Sequence, residues 1–196
     1  MHGSHGSIAA VLLAAGASRR MGANKLLLAV EGEPMVRRAA RRLLDAGCSP
    51  VVVVTGHEGA RVRAALDGLD VAFAESPDPT GPTSASLHAG IRALPAETTA
   101  TVVMLSDMVR VSASMLRDLV DSAQSNDAPL VVSRYGDVLA PPLLFRRSLW
   151  PELLAWTGEG CGKAVVNAHR AEAVIHDWDA GSLHDVDTPD DYEEVR

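Results

Sequence analysis

The strongest constraint on the fold is an abrupt change of character within residues 8–25, IAAVLLAAGASRRMGANK. Ile8–Ala14 is almost wholly apolar, the pattern of a parallel strand buried on both faces. Two residues later Gly16 and Gly22 bracket Ser18, Arg19 and Arg20, and Lys25 follows. Glycines let backbone N–H groups close on a ligand, and the cations add charge, so such a loop can cradle an anion such as a polyphosphate. A loop leaving the carboxyl end of a central strand is also where open α/β sheets bind ligands. This is not a Walker loop. Five residues separate the two glycines, and Lys25 is followed by Leu26 rather than by the hydroxyl that would hold a magnesium ion. The dinucleotide fingerprint GxGxxG is absent as well.

The rest of the chain alternates strand and helix patterns. Residues 26–30 read as a short extended piece turned by Glu31-Gly32. Pro34 is placed as a first helical residue and Gly47 as the stop of that helix. Within it Met35, Val36, Ala39, Ala40, Leu43 and Leu44 share one face, while Arg37, Arg38, Arg41 and Arg42 form a stripe read as a solvated face. Strands are expected at 51–55, 71–75, 101–106, 129–133 and 173–176, with helices at 58–66, 85–94, from Ser112 to about Gln124, at 148–156 and at 162–168. Pro141-Pro142 suggests an edge or the beginning of a strand, because proline cannot donate to a ladder. Thr188-Pro189 starts a last helix with acidic residues in its first turn. The alternation implies a three-layer α/β/α sandwich around a mostly parallel, Rossmann-like sheet.

The 196 residues suit one domain, expected over residues 8–196 behind a flexible tail at residues 1–7. A net charge of −7 argues against general nucleic-acid binding and makes the cationic loop a local exception, suited to a small anionic ligand. Cys48 and Cys161 form no disulfide framework. No apolar run approaches the ~20 residues of a membrane span, so no membrane association and a cytoplasmic location are expected. The histidines form no HExxH motif and no nucleophile elbow GxSxG occurs.

Two acidic positions complete the candidate chemistry. Asp107 closes the apolar run VVMLSD at the same sheet edge as the Gly16 loop, where a carboxylate needs a ligand, a cap or a metal. Asp185 and Asp187 flank Val186 before the final helix and, in extended backbone, face the same side.

LAAGASRRMGANKLLL resembles the LAAGxSxRMGxxKxLL signature of the MobA-like nucleotidyltransferases, in particular their molybdenum cofactor cytidylyltransferase branch. LSDM resembles LxDMP, whose aspartate binds magnesium in that family, and DVDTPDDY matches the closing DxDTPxDY. VVVVTG resembles the second strand and its turn, and SPDPTGPTSASLHAGI the NPxxxxGxxxSLxxGI segment that helps close over the nucleotide. APPLLF and TGEGCGKAVV are similar to GHPVLF and GDxGAR. The departures are Val109 for the proline after DM, Ala140-Pro141-Pro142 for GHP, and Glu159 and Lys163 for the aspartate and arginine of GDxGAR. Most of them fall in the half that would meet the acceptor.

The resemblance implies a fold of the nucleotide-diphospho-sugar transferase type and a Mg²⁺-dependent transfer of a nucleotidyl group to a phosphomonoester, releasing pyrophosphate. The expected nucleotide-binding residues are Leu13, Ala14, Ala15, Gly16, Ser18, Arg20, Lys25, Thr55, Gly56, Ser86 and Asp107. Lys25, Arg20 and Asp107 would act in catalysis, and Asp107 with Asp187 would hold the metal. The family points to CTP as donor and molybdopterin as acceptor, with a molybdoenzyme or maturation factor as a further partner. Ala15 stands where the guanylyl branch typically has a second glycine; its methyl would narrow the site and favour a pyrimidine. GTP as donor, a sugar phosphate or phospholactate as acceptor, and a non-catalytic nucleotide-binding accessory of molybdoenzyme maturation stay open as alternatives.

Overall fold

The computed structural model describes residues 7–16, 21–160 and 162–196. The first strand, β1 (Ile8–Ala14), is buried at every position, as its unbroken apolar run requires. Lys25–Leu27 forms a single 3-10 turn, after which β2 (Ala29–Val30) and β3 (Glu33–Pro34) make a small hairpin. Its turn residues Glu31 and Gly32 both have positive φ, 51° and 80°, as a tight two-residue hairpin demands. Helix α1 (Met35–Asp45) starts one residue after Pro34, which caps it instead of opening it, and gives way to Gly47 at φ 86°.

Next come β4 (Val51–Thr55), α2 (Gly59–Ala65), β5 (Ala72–Glu75), α3 (Thr83–Arg92), β6 (Ala100–Leu105) and α4 (Ala113–Ser125). Ser112 caps α4 by accepting the Met115 N–H at 3.2 Å. The chain continues through β7 (Leu130–Tyr135), β8 (Val138–Arg146), α5 (Trp150–Ala155), α6 (Lys163–Ala168), β9 (Val174–Trp178) and α7 (Pro189–Glu193). Among the described residues seven strands form the main sheet in the order β5-β4-β1-β6-β8-β7-β9, with β8 alone antiparallel to its neighbours.

Alternate residues of the strands supply two cores. Ala10, Leu12, Val53 and Met104 meet α1, α2 and α4 on one face through Val36, Leu43, Val62 and Leu119. Val11, Leu13, Val52 and Val103 meet α3, α5 and α6 on the other through Leu87, Leu153 and Val166. The three layers of the expected α/β sandwich are therefore present. No helix among the described residues is long and apolar enough to cross a membrane.

Two sequence expectations need correction. Pro141 and Pro142 lie inside β8, between β6 and β7, and not at an edge or a strand's beginning. The ladder tolerates them because β6 pairs with β8 only at residues 143–146, and the pairing with β7 slips between Val132 and Ser133. The arginine stripe of α1 is also more than a solvated face. Arg37 donates to the carbonyls of Ala65 and Asp67 at 3.1 and 2.8 Å, Arg38 pairs with Glu31 at 2.6 Å, and Arg42 donates to the Val109 carbonyl at 2.8 Å.

Candidate active site

Strands β1 and β6 run parallel and end together, so the segments that leave them share the carboxyl edge of the sheet. Ser106 locks the two exits, its N–H and hydroxyl both donating to the Leu13 carbonyl, at 3.2 and 2.7 Å. Asp107 follows directly. The C-terminal segment reaches the same edge through an isolated antiparallel bridge between Met108 and Asp185 and through Val186 N–H donating to the Asp107 carbonyl at 3.4 Å. Val186 is fully buried with Val30, Met35 and Val109, and the Tyr192 hydroxyl donates to the Ala29 carbonyl at 2.8 Å. The final segment is thereby seated on the β2–β3 hairpin.

Three residues distant in sequence meet there. The Lys25 ammonium donates to Asp107 Oδ2 at 2.6 Å and to Asp187 Oδ1 at 2.7 Å. Each member is held from behind. Asn24 accepts the Leu26 N–H on Oδ1 at 3.2 Å and so starts the 3-10 turn that carries Lys25. Asp191 Oδ2 accepts the N–H groups of Asp187 and Thr188 at 3.0 and 2.7 Å, as part of a capping box with Thr188. Burial alone would lower the Lys25 pKa, but the charge and hydrogen bond of Asp107, then those of Asp187, outweigh it and leave the ammonium held above its ordinary value. Asp185 is pushed up to about 6, first by the protein crowding its carboxyl and then by the negative charges of Asp107 and Asp187. The residue as a whole keeps more than a third of its surface in solvent, so the neighbouring charges are the firmer cause.

Lys25, Asp107 and Asp187 line a cavity of about 380 Å³, within the range of small-molecule sites. Leu13, Ala15, Gly16 and Ser86, four of the expected nucleotide-binding residues, belong to its walls. Ser86 donates to the Ser76 hydroxyl at 2.9 Å. Other expected contacts lie elsewhere. Ala14 packs in the core beneath α1. Thr55 is 1% exposed and its hydroxyl donates to the Ala74 carbonyl. Gly56 does not line the cavity but shapes its wall: a Cβ there would stand 2.6 Å from Pro79 Cβ and 2.7 Å from the Ala15 carbonyl oxygen. Ser18 and Arg20 lie outside the described residues, as do Arg19, Cys161 and most of the amino-terminal tail.

Residue-level reading had not singled out Leu26, Leu105, Ser106, Pro79, Gly81 or Thr83, which complete the cavity. Pro79, Gly81 and Thr83 fall in the segment matched to the nucleotide-closing motif; Leu105 and Ser106 look like the tail of an ordinary buried strand. Asn24 and Asp191, which fix the backbones of Lys25 and Asp187, were missed too, although the Thr188–Asp191 spacing is that of a capping box.

Leu105 also borders a second, mainly apolar pocket of about 160 Å³, formed by Leu139, Ala140, Pro141, Leu143, Gly160, Lys163 and Val166. Three of the departures from the family pattern, Ala140, Pro141 and Lys163, thus line one pocket beside the first. Glu159 reaches from this side to the start of α3, where its carboxylate accepts the Thr83 N–H at 3.2 Å and the Thr83 hydroxyl. Val109, in place of proline, makes a bond that proline could not: its N–H donates to the Asp107 carbonyl at 3.0 Å.

Comparison with known proteins places the chain among its relatives. The purine catabolism protein PucB of Bacillus subtilis is 29% identical over 95% of this chain and 94% of its own length. A probable molybdenum cofactor guanylyltransferase of Natronomonas pharaonis is 33% identical over 95% of each chain. Among solved structures, Rv0371c of Mycobacterium tuberculosis superposes with a TM-score of 0.85 at 27% identity, covering 96% of this chain and 97% of that one. A second structure of that protein, in complex with manganese, gives a TM-score of 0.78 at 27% identity over 97% of both chains. The MobA-like NTP transferase domain matches residues 10–174, and the chain belongs to that family of nucleotidyltransferases.

Proposed function

We propose that this nucleotidyltransferase moves a CMP group from CTP to the phosphomonoester of molybdopterin or its molybdenum cofactor form, in the cytoplasm, with Mg²⁺ bound at Asp107 and Asp187. One observation carries the reading: two carboxylates and a lysine from three distant segments converge in the lining of a cavity of about 380 Å³ that Gly16 also lines.

The donor set suits magnesium. Among the described residues Asp107 Oδ1 is buried without a hydrogen-bond partner, so a ligating oxygen stands ready. Magnesium commonly takes one or two carboxylates together with substrate phosphates, and no third protein ligand is needed. Among the described residues no cluster of three or more acidic, histidine or cysteine side chains surrounds the pair. The manganese complex of Rv0371c lends further support. When bound, the ion would neutralise charge on the triphosphate and the departing pyrophosphate.

The chain's own residues do the positioning. A phosphomonoester with second pKa about 6 is largely dianionic at neutral pH, so its oxygen can attack the α-phosphorus without a strong general base. The main obstacle is the repulsion of two polyanions. Lys25 and the amides of the Gly16 loop would hold the triphosphate, with Arg20 alongside, while Ser86 and Thr83 bound the opposite wall. The apolar pocket beyond Leu105, with Lys163 in its lining, would take the acceptor.

Ala15 supports a pyrimidine, since it lines the cavity and its Cβ lies against Gly56. A second reading, GTP as donor, is favoured by the relative named as a guanylyltransferase. Pyrophosphate release should be measured over the four triphosphates, with molybdopterin, a sugar phosphate and phospholactate as acceptors. The proposal expects release with CTP and molybdopterin, lost by more than a hundredfold in Asp107→Asn. Release only with GTP would select the second reading, and binding without turnover on every acceptor would mark an accessory of molybdoenzyme maturation.

A further inference from the structure

We infer that Lys25 is the resident counter-ion of the two aspartates in the free protein and leaves them for the triphosphate when a divalent cation binds, so that cation and nucleotide exchange Lys25 between them. The inference rests on the metal reading above and adds a second role to Lys25.

The geometry supplies both halves of the exchange. In the free protein the ammonium sits 2.6 Å from Asp107 Oδ2 and 2.7 Å from Asp187 Oδ1. The side chains of Lys25 and Asp107 are only 13% and 16% exposed, so water screens this part of the cluster weakly. Two carboxylates so close would repel each other if left bare, and a cation between them relieves that. Asp107 Oδ1 is open to a metal, but the ammonium holds Asp107 Oδ2 and Asp187 Oδ1, so a divalent ion drawing on both carboxylates would stand beside a like charge.

Departure of the lysine would leave the scaffold intact. Asn24 caps the 3-10 turn that carries Lys25 by accepting the Leu26 N–H, and Asp191 holds the backbone of Asp187, through bonds that do not involve the ammonium. The flexible four-carbon stem of lysine can therefore swing while its backbone stays in place. Its other destination is close, since Lys25 and Gly16 line the same cavity. A triphosphate there would offer the ammonium new anionic partners as the metal takes the old ones. Without nucleotide, the metal must loosen this ion pair with no triphosphate to receive the ammonium, so cation affinity in the free protein is held down.

The test is Mn²⁺ binding to the protein without nucleotide, followed by electron paramagnetic resonance and by the Mn²⁺-induced rise in melting temperature. Wild type is compared with Lys25→Met, which keeps the stem and removes the charge, and with Lys25→Gln, which keeps a donor to the carboxylates. Both neutral variants should bind Mn²⁺ at least tenfold more tightly than wild type, and Asp107→Asn should abolish the gain. Unchanged affinity in the neutral variants, with Mn²⁺ binding to wild type plus a non-hydrolysable triphosphate, would overturn the exchange and leave the metal site standing. Absence of Mn²⁺ binding in every protein, with or without the triphosphate, would overturn both.

Discussion

Gly56→Ala tests how tightly the nucleotide side of the cavity is built. A Cβ at residue 56 would stand 2.6 Å from Pro79 Cβ, 2.7 Å from the Ala15 carbonyl oxygen and 2.9 Å from Ala15 Cβ. None of these is the end of a flexible side chain. The clash must therefore be relieved by moving the Pro79 loop or the end of β1, and both Pro79 and Ala15 line the cavity. Gly56 does not have a positive φ, so the cost is steric and not conformational. Overpacking of this kind costs about 1–3 kcal/mol. For a chain of this length each kcal/mol lowers the melting temperature by roughly 2–4 °C, which gives a fall of about 2–12 °C. A wall displaced far enough to relieve these contacts should also weaken triphosphate binding by roughly tenfold, or about 1.4 kcal/mol. Gly59→Ala is the control: its Cβ would meet only Thr55, at 3.4 Å, and alanine favours the helix by up to about 1 kcal/mol. Thermal unfolding and calorimetry with a non-hydrolysable triphosphate read both effects. If Gly56→Ala matches wild type in stability and affinity, the close packing of Ala15, Gly56 and Pro79 is wrong.

Two further predictions address the base and a surface charge cluster. Ala15→Gly should relax donor choice toward GTP, because overpacking a tight site by one methyl is worth about 1–3 kcal/mol, or roughly 10- to 100-fold; GTP binding to wild type as tightly as CTP, by calorimetry with Mg²⁺, would refute it. His169 lies 2.9 Å from Glu152 and 3.0 Å from Glu172, and their hydrogen bonds, that of Glu152 first, raise its pKa. The stabilisation is fully present below the unfolded value of about 6.5 and disappears as pH rises through the raised folded value. His169→Gln should therefore lower the melting temperature at pH 5.5 and leave it nearly unchanged at pH 9; an equal loss at both pH values would contradict the pairing.

Much of the architecture was legible because local chemistry and tertiary demand agree. Ile8–Ala14 is apolar at every position since helices cover both faces of its strand, and Gly47, Ser112 and Thr188 mark helix ends that the structure keeps. Pro141-Pro142 misled for the opposite reason. Whether proline is tolerated depends on where neighbouring strands stop pairing, and residues 100–105 carry no sign that β6 pairs with β8 only as far as Leu143. The site was half visible. An aspartate at the end of an apolar strand stands out by its burial cost, but nothing in the sequence places Lys25 between Asp107 and Asp187, 82 and 162 residues away. Thr55 was assigned by motif alone, and a motif does not say that its hydroxyl turns to the Ala74 carbonyl at the strand end.

Label transfer tests the nucleotidyl assignment most directly. The protein is incubated with Mg²⁺, molybdopterin and CTP carrying ³²P at either the α or the γ position. The account predicts that α-label enters the acceptor while γ-label is recovered wholly as pyrophosphate. Transfer of the γ-label to the acceptor, or no transfer of α-label from any triphosphate to any phosphomonoester tried, would contradict it.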